Sequence, residues 1–277
     1  MYPDLFKIGP FTVHSFGLMM AIGFIVGSWL LTNELNRKGY NPNLGSTITL
    51  FALIFGIAGS KILFLLEDWS HFIQNPLREA FSPGGLTWYG GFFLATFAIW
   101  MYTRKKKIPF LRICDAAAPS LMIGYGVARI GCHLSGDGDY GLPTNLPWGA
   151  VYSNGTYPPS LAFRDFPDIV QKYGVNGIVP DTISVHPTPI YEFILAIILF
   201  SILWRLRKNN YVDGKLFMIY LVFYGIARFA VEAIRLNPRL LFGFSEAQLI
   251  SIILIIIGIG GLNVLSKPKQ QQTKTNL

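Results

Sequence analysis

The most evident shortage in this sequence is of charge. Of its 277 residues only 14% are Asp, Glu, Lys or Arg, whereas 52% are hydrophobic. Soluble domains carry about 25% charged residues. So small a share leaves too few charged side chains to cover the water-exposed surface of a chain this long. The shortage therefore argues against a soluble protein and indicates a chain whose solvent is lipid.

Acidic residues are scarcer than basic ones, 15 against 23, which leaves a net charge of +8. An excess of this size is also found in proteins that bind nucleic acid. Here, however, the lysines and arginines form short runs between apolar segments and are not gathered in one domain. That arrangement is typical of membrane topology, so we expect no nucleic-acid partner.

Motifs for a disulfide, a metal site or export are missing. The two cysteines, Cys114 and Cys132, would lie about 27 Å apart on one helix, and a disulfide tolerates about 7 Å between Cα atoms. There is no CxxC pair, and the four histidines are scattered. The N-terminus, MYPDLFKIGP, lacks the basic region and cleavage site of a signal peptide. We expect no internal disulfide, no metal, no cofactor and no removable leader.

Long apolar segments are what the sequence has in their place. Each is close to the roughly 20 residues of a spanning helix, and none alternates with period two as a barrel strand would. The sequence thus predicts an all-α, polytopic integral membrane protein with one domain, 1–266, and a disordered cytoplasmic tail, 267–277. The seven predicted transmembrane helices are 12–33, 46–66, 85–103, 112–134, 188–206, 215–235 and 246–265.

The basic residues between these segments predict the orientation. One set of loops holds fourteen lysines and arginines and the other holds five, and the richer set is expected in the cytoplasm. The N-terminus is then outside and the C-terminus is cytoplasmic. The long loop 135–187 lies outside. The richer set is Arg37, Lys38, Arg104, Lys105, Lys106, Lys107, Arg112, Arg205, Arg207, Lys208, Lys215, Lys267, Lys269 and Lys274.

Several ionisable residues fall inside the predicted spans. A charge near the bilayer centre costs about 3 kcal/mol on insertion scales, so such residues usually face a protein interior or a wet cavity. On the predicted topology all of them lie in the outer half of the membrane, and His14 and Tyr89 begin two helices at the same side. This one-sidedness predicts a site that faces outward. The residues are Lys61, Arg129, His133, Glu192, Arg228, Glu232 and Arg235.

The spacing of these residues suggests their ligand. Tyr224, Arg228, Glu232 and Arg235 recur at i, i+4, i+8 and i+11 and so share one helix face with net positive charge. Arg129 lies on another helix, and two buried cations repel unless an anion lies between them. Because guanidinium groups bind phosphate bidentately, we expect the headgroup of an anionic phospholipid.

Structural explanations remain open for most of these residues. Glu232 could simply stabilise helix packing through an arginine, and Lys61 could extend its ammonium to the membrane surface. Cys132 could be a small apolar filler, His133 a packing residue and Tyr89 part of an interfacial aromatic belt.

Four motifs in order make the chain resemble the bacterial prolipoprotein diacylglyceryl transferase family over almost its whole length. The family signature is similar to GRxGNFxNxExxG and stands here as ARIGCHLSGDGDYG (128–141), one residue longer. The chain departs from it at Cys132 and at Asp137, which takes the place of the signature Glu. The other matching segments are GLTWYGG (85–91), with Tyr89 where a histidine often stands, HPTPIYE (186–192) and YGIARFAVEAIR (224–235).

The resemblance implies a reaction at the outer side of the bacterial cytoplasmic membrane. The family transfers a diacylglyceryl group from phosphatidylglycerol to the lipobox cysteine thiol of a prolipoprotein, forming a thioether. It implies that Arg129 and Arg228 bind the phospholipid and stabilise the leaving phosphate. A base must take the thiol proton, and His133 is favoured over His14 and Tyr89. The remaining expected substrate-binding residues are Asp137, Gly141, His186, Glu192, Tyr224, Glu232 and Arg235.

Other functions stay open at this point. The altered signature permits a related lipid-headgroup transferase or a lipid-binding paralogue whose chemistry has changed. A transporter predicts polar groups near the midplane and paired repeats, and the sequence shows neither. Helix number alone does not support a seven-helix receptor.

Overall fold

The computed structural model of the protein describes residues 1–9, 11–82 and 84–266, and it is mostly helical within them. In this part of the chain seven helices have 18 residues or more, and each coincides with one of the predicted apolar segments. The predicted disordered tail, 267–277, lies outside the described residues. The helices are α1 (Ser15–Arg37), α2 (Asn43–Glu67), α3 (Trp69–Phe72), α4 (Pro76–Phe81), α5 (Trp88–Lys105), α6 (Phe110–Ser135), α7 (Pro159–Ala162), α8 (Pro167–Tyr173), α9 (Thr188–Leu206), α10 (Lys215–Glu232) and α11 (Glu246–Leu265).

Four of the long helices, α1, α2, α9 and α11, are long and apolar enough to cross a membrane. α10 has the length but carries three ionisable residues, Lys215, Arg228 and Glu232, among its 18. Polar side chains lower the hydropathy of a helix whether they face lipid or the protein interior. The structure therefore identifies a membrane protein with at least four candidate spans.

Strands are few and short in the described residues. They form three antiparallel two-stranded hairpins or bridges, pairing β1 with β2, β3 with β4 and β5 with β6. The β3–β4 pair joins Ala150 to Val185 across the long loop. The strands are β1 (Asp4–Ile8), β2 (Phe11–His14), β3 (Ala150–Val151), β4 (Ser184–Val185), β5 (Arg239–Leu241) and β6 (Phe244–Ser245).

The chain divides into two compact units, which we call the first and second units. The first unit comprises Met1–Val26 and Ala117–Leu277, and the second comprises Gly27–Ala116. In the first unit α10 packs closely on α11, because Gly225 lies against Ser251 and Ile255 on the facing helix. In the second unit the main contact is between α2 and α5.

The long loop between α6 and α9 has a hydrophobic core of its own in the first unit. Tyr140 and Tyr152 are almost fully buried, and their rings stack at 4.5 Å between centroids. Phe163 and Val185 complete this core. The Tyr140 hydroxyl donates to the backbone carbonyl of Tyr157 at 2.7 Å. Aromatic burial thus gives the loop a defined structure directly after the end of α6.

Candidate functional site

Three arginines of the first unit converge where α6 ends, α9 begins and α10 ends. Arg129 lies near the C-terminus of α6, Arg228 is one turn before the end of α10, and Arg235 follows that helix. Glu192, in the second turn of α9, is 2% exposed. The arginines that the sequence placed on two different helices therefore meet around one buried carboxylate.

Glu192 contacts all three arginines. Its Oε1 accepts hydrogen bonds from Arg228 Nη1 and from the Tyr125 hydroxyl, both at 2.7 Å. Its Oε2 lies 3.1 Å from Arg129 Nε and 3.3 Å from Arg235 Nη1. A buried charge is tolerated only when it is paired and hydrogen-bonded. Glu192 is the anion that permits these cations to lie together.

Glu232 is the second buried carboxylate and is fully enclosed. Its Oε2 lies 2.8 Å from Arg228 Nη2. Its Oε1 accepts from Asn237 Nδ2 at 2.5 Å and from the Ser245 hydroxyl at 2.8 Å. Ser245 also caps α11, in a capping box with Gln248. Glu232 thereby connects α10, the segment that follows it and the start of α11.

Asp139 is the third carboxylate of the cluster and bridges two arginines. One of its oxygens contacts Arg129 Nη1 and the other contacts Arg235 Nη2. The residue lies in the turn after α6, where Gly136 and Gly138 have φ values of +60° and +87° that only glycine adopts easily. Its backbone carbonyl accepts from the Thr188 hydroxyl at 2.5 Å.

The sequence predicts Asp137 as a substrate-binding residue, which stays a prediction, and does not single out Asp139, the carboxylate that contacts the arginines. The family signature places its acidic residue at Asp137, but this chain has one extra residue in GDGDYG. In the structure it is Asp139 that contacts the arginines. The extra residue in this segment was the one sign in the sequence of this difference, because an added residue changes which carboxylate points toward the arginines.

The charge of the cluster differs from the net positive face that helix spacing predicted. Arg129, Arg228 and Arg235 are balanced by Glu192, Glu232 and Asp139. Two of these carboxylates come from other elements, which a pattern along α10 cannot reveal. Before a ligand arrives, the protein itself supplies the anions between its buried cations.

Asp137 lies beside this cluster, half-buried, and its Oδ1 accepts a hydrogen bond from the Asp139 backbone N–H at 3.3 Å. Burial raises the pKa of Asp137, and the neighbouring Asp139 raises it further. Burial acts in the same direction on Asp139, but the charges of Arg235 and Arg129 outweigh it and lower the pKa of Asp139. Asp137 and Asp139 thus differ in pKa, because it is Asp139 that is paired with Arg235 and Arg129.

The acidic turn also brings together three groups that can ligate metals. Donor atoms of Cys132, Asp137 and Asp139 all lie within 4.8 Å of one another. Arg129 and Arg235 both contact Asp139, however, and place positive charge beside it. These contacts therefore favour Asp139 as a partner of the arginines over Asp139 as a ligand of a metal ion.

Two further residues named from the sequence, Tyr224 and Gly141, adjoin the cluster. The Tyr224 ring packs edge-on against Tyr125 at 5.4 Å. Gly141 pairs with Arg235, and a Cβ there would come within 3.1 Å of both Thr188 and His186 side chains. These contacts explain why a residue without a side chain stands at Gly141.

The histidines have partners outside the arginine cluster. His133 Nδ1 is 2.8 Å from the Tyr152 hydroxyl. His186 Nδ1 is 3.2 Å from the Tyr191 hydroxyl, and His14 Nδ1 pairs with Asp4 on the exposed β1–β2 hairpin at 2.7 Å. Tyr89 belongs to the second unit, in the first turn of α5. A shared site for His14, His186 and Tyr89 with the arginines stays a prediction.

A small cavity lies beside the cluster in the first unit. Apolar side chains form most of its wall, and Glu192 and Arg228 supply its charged part. The lining includes Met122, Tyr125, Leu195, Tyr224, Ala227 and Val231.

Comparison with known proteins agrees with the motifs. The sequence profile described as "Prolipoprotein diacylglyceryl transferase" matches residues 3–264. The chain belongs to the prolipoprotein diacylglyceryl transferase family. This confirms the resemblance drawn from the four motifs, despite the departures at Tyr89 and Cys132.

Relatives of the chain in this family come from several bacterial groups. A phosphatidylglycerol–prolipoprotein diacylglyceryl transferase of Clostridium tetani is 32% identical over 95% of this chain and 98% of its own length. Proteins of the same name from Trichormus variabilis and Bacillus cytotoxicus are 30% and 31% identical, over 98% and 91% of this chain and 95% and 87% of their own lengths. The likeness to prolipoprotein diacylglyceryl transferases thus extends beyond the arginine cluster to the whole fold.

Proposed function

We propose that this protein is a phosphatidylglycerol–prolipoprotein diacylglyceryl transferase of the bacterial cytoplasmic membrane. Its substrates are then phosphatidylglycerol and secreted prolipoproteins with a lipobox cysteine. The observation that carries the proposal is the cluster of three buried arginines in a chain of this family. Buried guanidinium groups are suited to a phosphate whose negative charge grows during the reaction.

In the proposed reaction the sulfur of the lipobox cysteine attacks the glycerol carbon that bears the phosphate. A C–S bond forms and the C–O bond breaks, its electron pair remaining on the phosphate oxygen. Glycerol phosphate leaves, and the thiol proton passes to a base. Arg129 and Arg228 hold the phosphate and stabilise the added charge. No metal or cofactor is required in this sequence of steps.

His133 is the proposed base, ahead of His14 and Tyr89. Its Nδ1 is engaged by Tyr152 at 2.8 Å, which orients the ring. No contact of Nε2 is recorded within the described residues, so that nitrogen is the candidate proton acceptor. Because a thiolate is the attacking species, a neutral imidazole at this point is suited to the task.

The other residues are proposed to shape the substrate site. Glu192 and Glu232 hold the arginines in place, and Tyr224 borders the cavity beside Arg228. Asp137, Gly141, His186 and Arg235 are proposed to contact the headgroup or the turn that surrounds it.

We also propose seven membrane spans, with the N-terminus outside and the C-terminus in the cytoplasm. The distribution of basic residues supports this arrangement. It would place loop 135–187 and the ends of α6, α9 and α10 at the outer side, where a secreted precursor is available. Both substrates would then meet the arginines from the same leaflet.

Purified protein in detergent, phosphatidylglycerol and a lipobox peptide would test the proposal by mass spectrometry. We expect a diacylglyceryl mass gain on the peptide cysteine. Arg129→Ala should lower turnover by about 100-fold or more, as loss of a preorganised donor to a developing anion does. The matched control is Arg164→Ala, since Arg164 is exposed and pairs with the neighbouring Asp165. Both variants should elute as folded protein.

Two outcomes would contradict the proposal in different ways. Turnover retained by Arg129→Ala would remove Arg129 from the site. No mass gain with folded wild-type protein, beside an active reference transferase, would favour the related paralogue with altered chemistry.

A further inference from the structure

Asp139 occupies a position that a phosphate group could take. Its two carboxylate oxygens contact two different guanidinium groups, those of Arg129 and Arg235. A phosphodiester presents the same feature, two oxygens that share one negative charge. Arginine recognises both groups through similar paired hydrogen bonds.

Among the three carboxylates of the cluster, Asp139 is the one that a ligand could replace. Its side chain is 30% exposed, whereas those of Glu192 and Glu232 are 2% and 0% exposed. Glu232 is also held by Ser245 and Asn237, and Glu192 by Tyr125. The recorded partners of the Asp139 side chain, by contrast, are chiefly the two arginines.

The backbone around Asp139 is fixed independently of its carboxylate. The Asp139 carbonyl accepts from Thr188, and Gly141 N donates to the His186 carbonyl at 2.8 Å. The side chain can therefore leave the arginines by rotating, while the turn keeps its place. Cys132 and Asp137 mark the edge of the cluster on this side, since their donor atoms already lie within 4.8 Å of an Asp139 carboxylate oxygen.

We propose that Asp139 occupies the place beside Arg129 that the substrate phosphate takes, and that the phosphate, held by Arg129 and Arg228, displaces it and gains Arg235 as a third contact. This inference rests on the proposed function. The exchange is of one negative charge for another, so the buried arginines stay neutralised throughout. Glu192 keeps them aligned during the exchange, since it contacts all three.

Displacement of Asp139 makes it a specificity-determining residue. A neutral lipid such as diacylglycerol cannot replace the carboxylate, because the two arginines would lose an anion and gain none. A zwitterionic lipid brings an ammonium group close to guanidinium charges. An anionic phospholipid whose phosphate carries an uncharged alcohol meets neither obstacle. The ligand class selected is therefore an anionic phosphodiester lipid.

Binding without turnover tests this step. Short-chain phosphatidylglycerol would be titrated calorimetrically into detergent-solubilised protein in the absence of peptide. In Asp139→Asn the internal competitor is gone, and we expect Kd to fall by about 10-fold. Asp165→Asn, an equal change at an exposed carboxylate, should leave Kd unchanged. Short-chain diacylglycerol should bind Asp139→Asn measurably better than wild type, because neutralising residue 139 removes the penalty.

A second measurement uses the unaltered chain, since Asp139→Asn leaves two arginines without a full counter-ion and its folding is at risk. In protein with ¹³C-labelled aspartate carboxyls, infrared difference spectra should show one carboxylate band moving from an arginine-paired to an unpaired frequency when short-chain phosphatidylglycerol binds. Aspartate bands that do not change would overturn the inference.

The failure of this inference differs from failure of the proposed function. Suppose that the wild-type protein transfers the diacylglyceryl group to the peptide, but that Asp139→Asn binds phosphatidylglycerol no more tightly than the wild type. Asp139 is then a structural counter-ion and is not displaced. If wild-type protein neither binds nor converts phosphatidylglycerol, the proposed function itself is wrong.

Discussion

Glu192 shows how a single residue can set the character of a site inside a membrane protein. It is 2% exposed and contacts Arg129, Arg228 and Arg235. A buried ion pair contributes little net stability when complete, because desolvation offsets the attraction. Its removal is costly, since the remaining charges stay buried without a partner. Glu192 therefore matters more for the arrangement of the arginines than for the total stability of the fold.

Glu192→Gln should accordingly destabilise the protein by about 3–5 kcal/mol, the cost of breaking a buried charge pair from one side. The free energy of unfolding in detergent would be measured by denaturation. Glu67→Gln is the control, because Glu67 is exposed and accepts one hydrogen bond from Thr87, which an amide oxygen can also accept. We expect that change to stay within about 0.5 kcal/mol. Equal stability of the two variants would mean that Glu192 is not essential to the cluster.

At the scale of elements, the α2–α5 contact of the second unit depends on small residues. A Cβ at Gly59 would lie 2.7 Å from the Leu94 Cβ and would collide with the Gly90 carbonyl. Lipid supplies no hydrophobic drive between helices, so close backbone approach is how membrane helices gain packing energy. Gly59 and Gly90 permit that approach from the two sides of the contact.

Gly59→Ala should therefore separate α2 from α5 and destabilise the second unit by about 1–3 kcal/mol, as overpacking does. Gly56 is three residues earlier on the same helix, and a Cβ there would meet nothing within 4 Å. Gly56→Ala should be neutral or slightly stabilising, because alanine favours helix. Thermal unfolding of both variants in the same detergent would compare them. A destabilised Gly56→Ala beside an unaffected Gly59→Ala would show that the contact lies elsewhere.

Elements also explain why helix periodicity does not reveal Asp139 as a partner of the arginines. A helix pattern ends where the helix ends, and beyond Ser135 the direction of each side chain depends on individual φ and ψ values. Gly136 and Gly138 adopt positive φ and reverse the chain. Asp139 rather than Asp137 consequently turns toward the arginines.

At the scale of the whole molecule, orientation in the membrane is the property with the clearest external test. Single cysteines at Asp165, in the long loop, and at Asn210, between α9 and α10, would be labelled with a membrane-impermeant maleimide in intact spheroplasts. We expect labelling of Asp165→Cys at once and of Asn210→Cys only after the membrane is opened. The parent chain is the control, since Cys132 is buried and Cys114 partly so. The reverse pattern would invert the proposed topology.

The sequence by itself determined the helical architecture of this protein and the kind of chemistry that it can hold. The apolar segments are long and continuous, so the seven long helices of the described residues could be located within a few residues of their bounds. The cost of a buried charge likewise marked Arg129, Arg228, Glu192, Glu232 and Arg235 as members of one site. Both signals are local properties of the chain, and both are readable without a fold.

Only the tertiary structure decided how those charges are paired. Glu192 comes from α9 and Asp139 from the turn after α6, while the arginines that they neutralise come from α6, α10 and the segment beyond it. Periodicity along α10 therefore predicted a positive face, whereas the folded cluster is balanced. Pairing depends on which helix ends meet and on backbone angles in one short turn. These features depend on contacts between distant parts of the chain and on irregular backbone angles, so they arise only when the chain is folded.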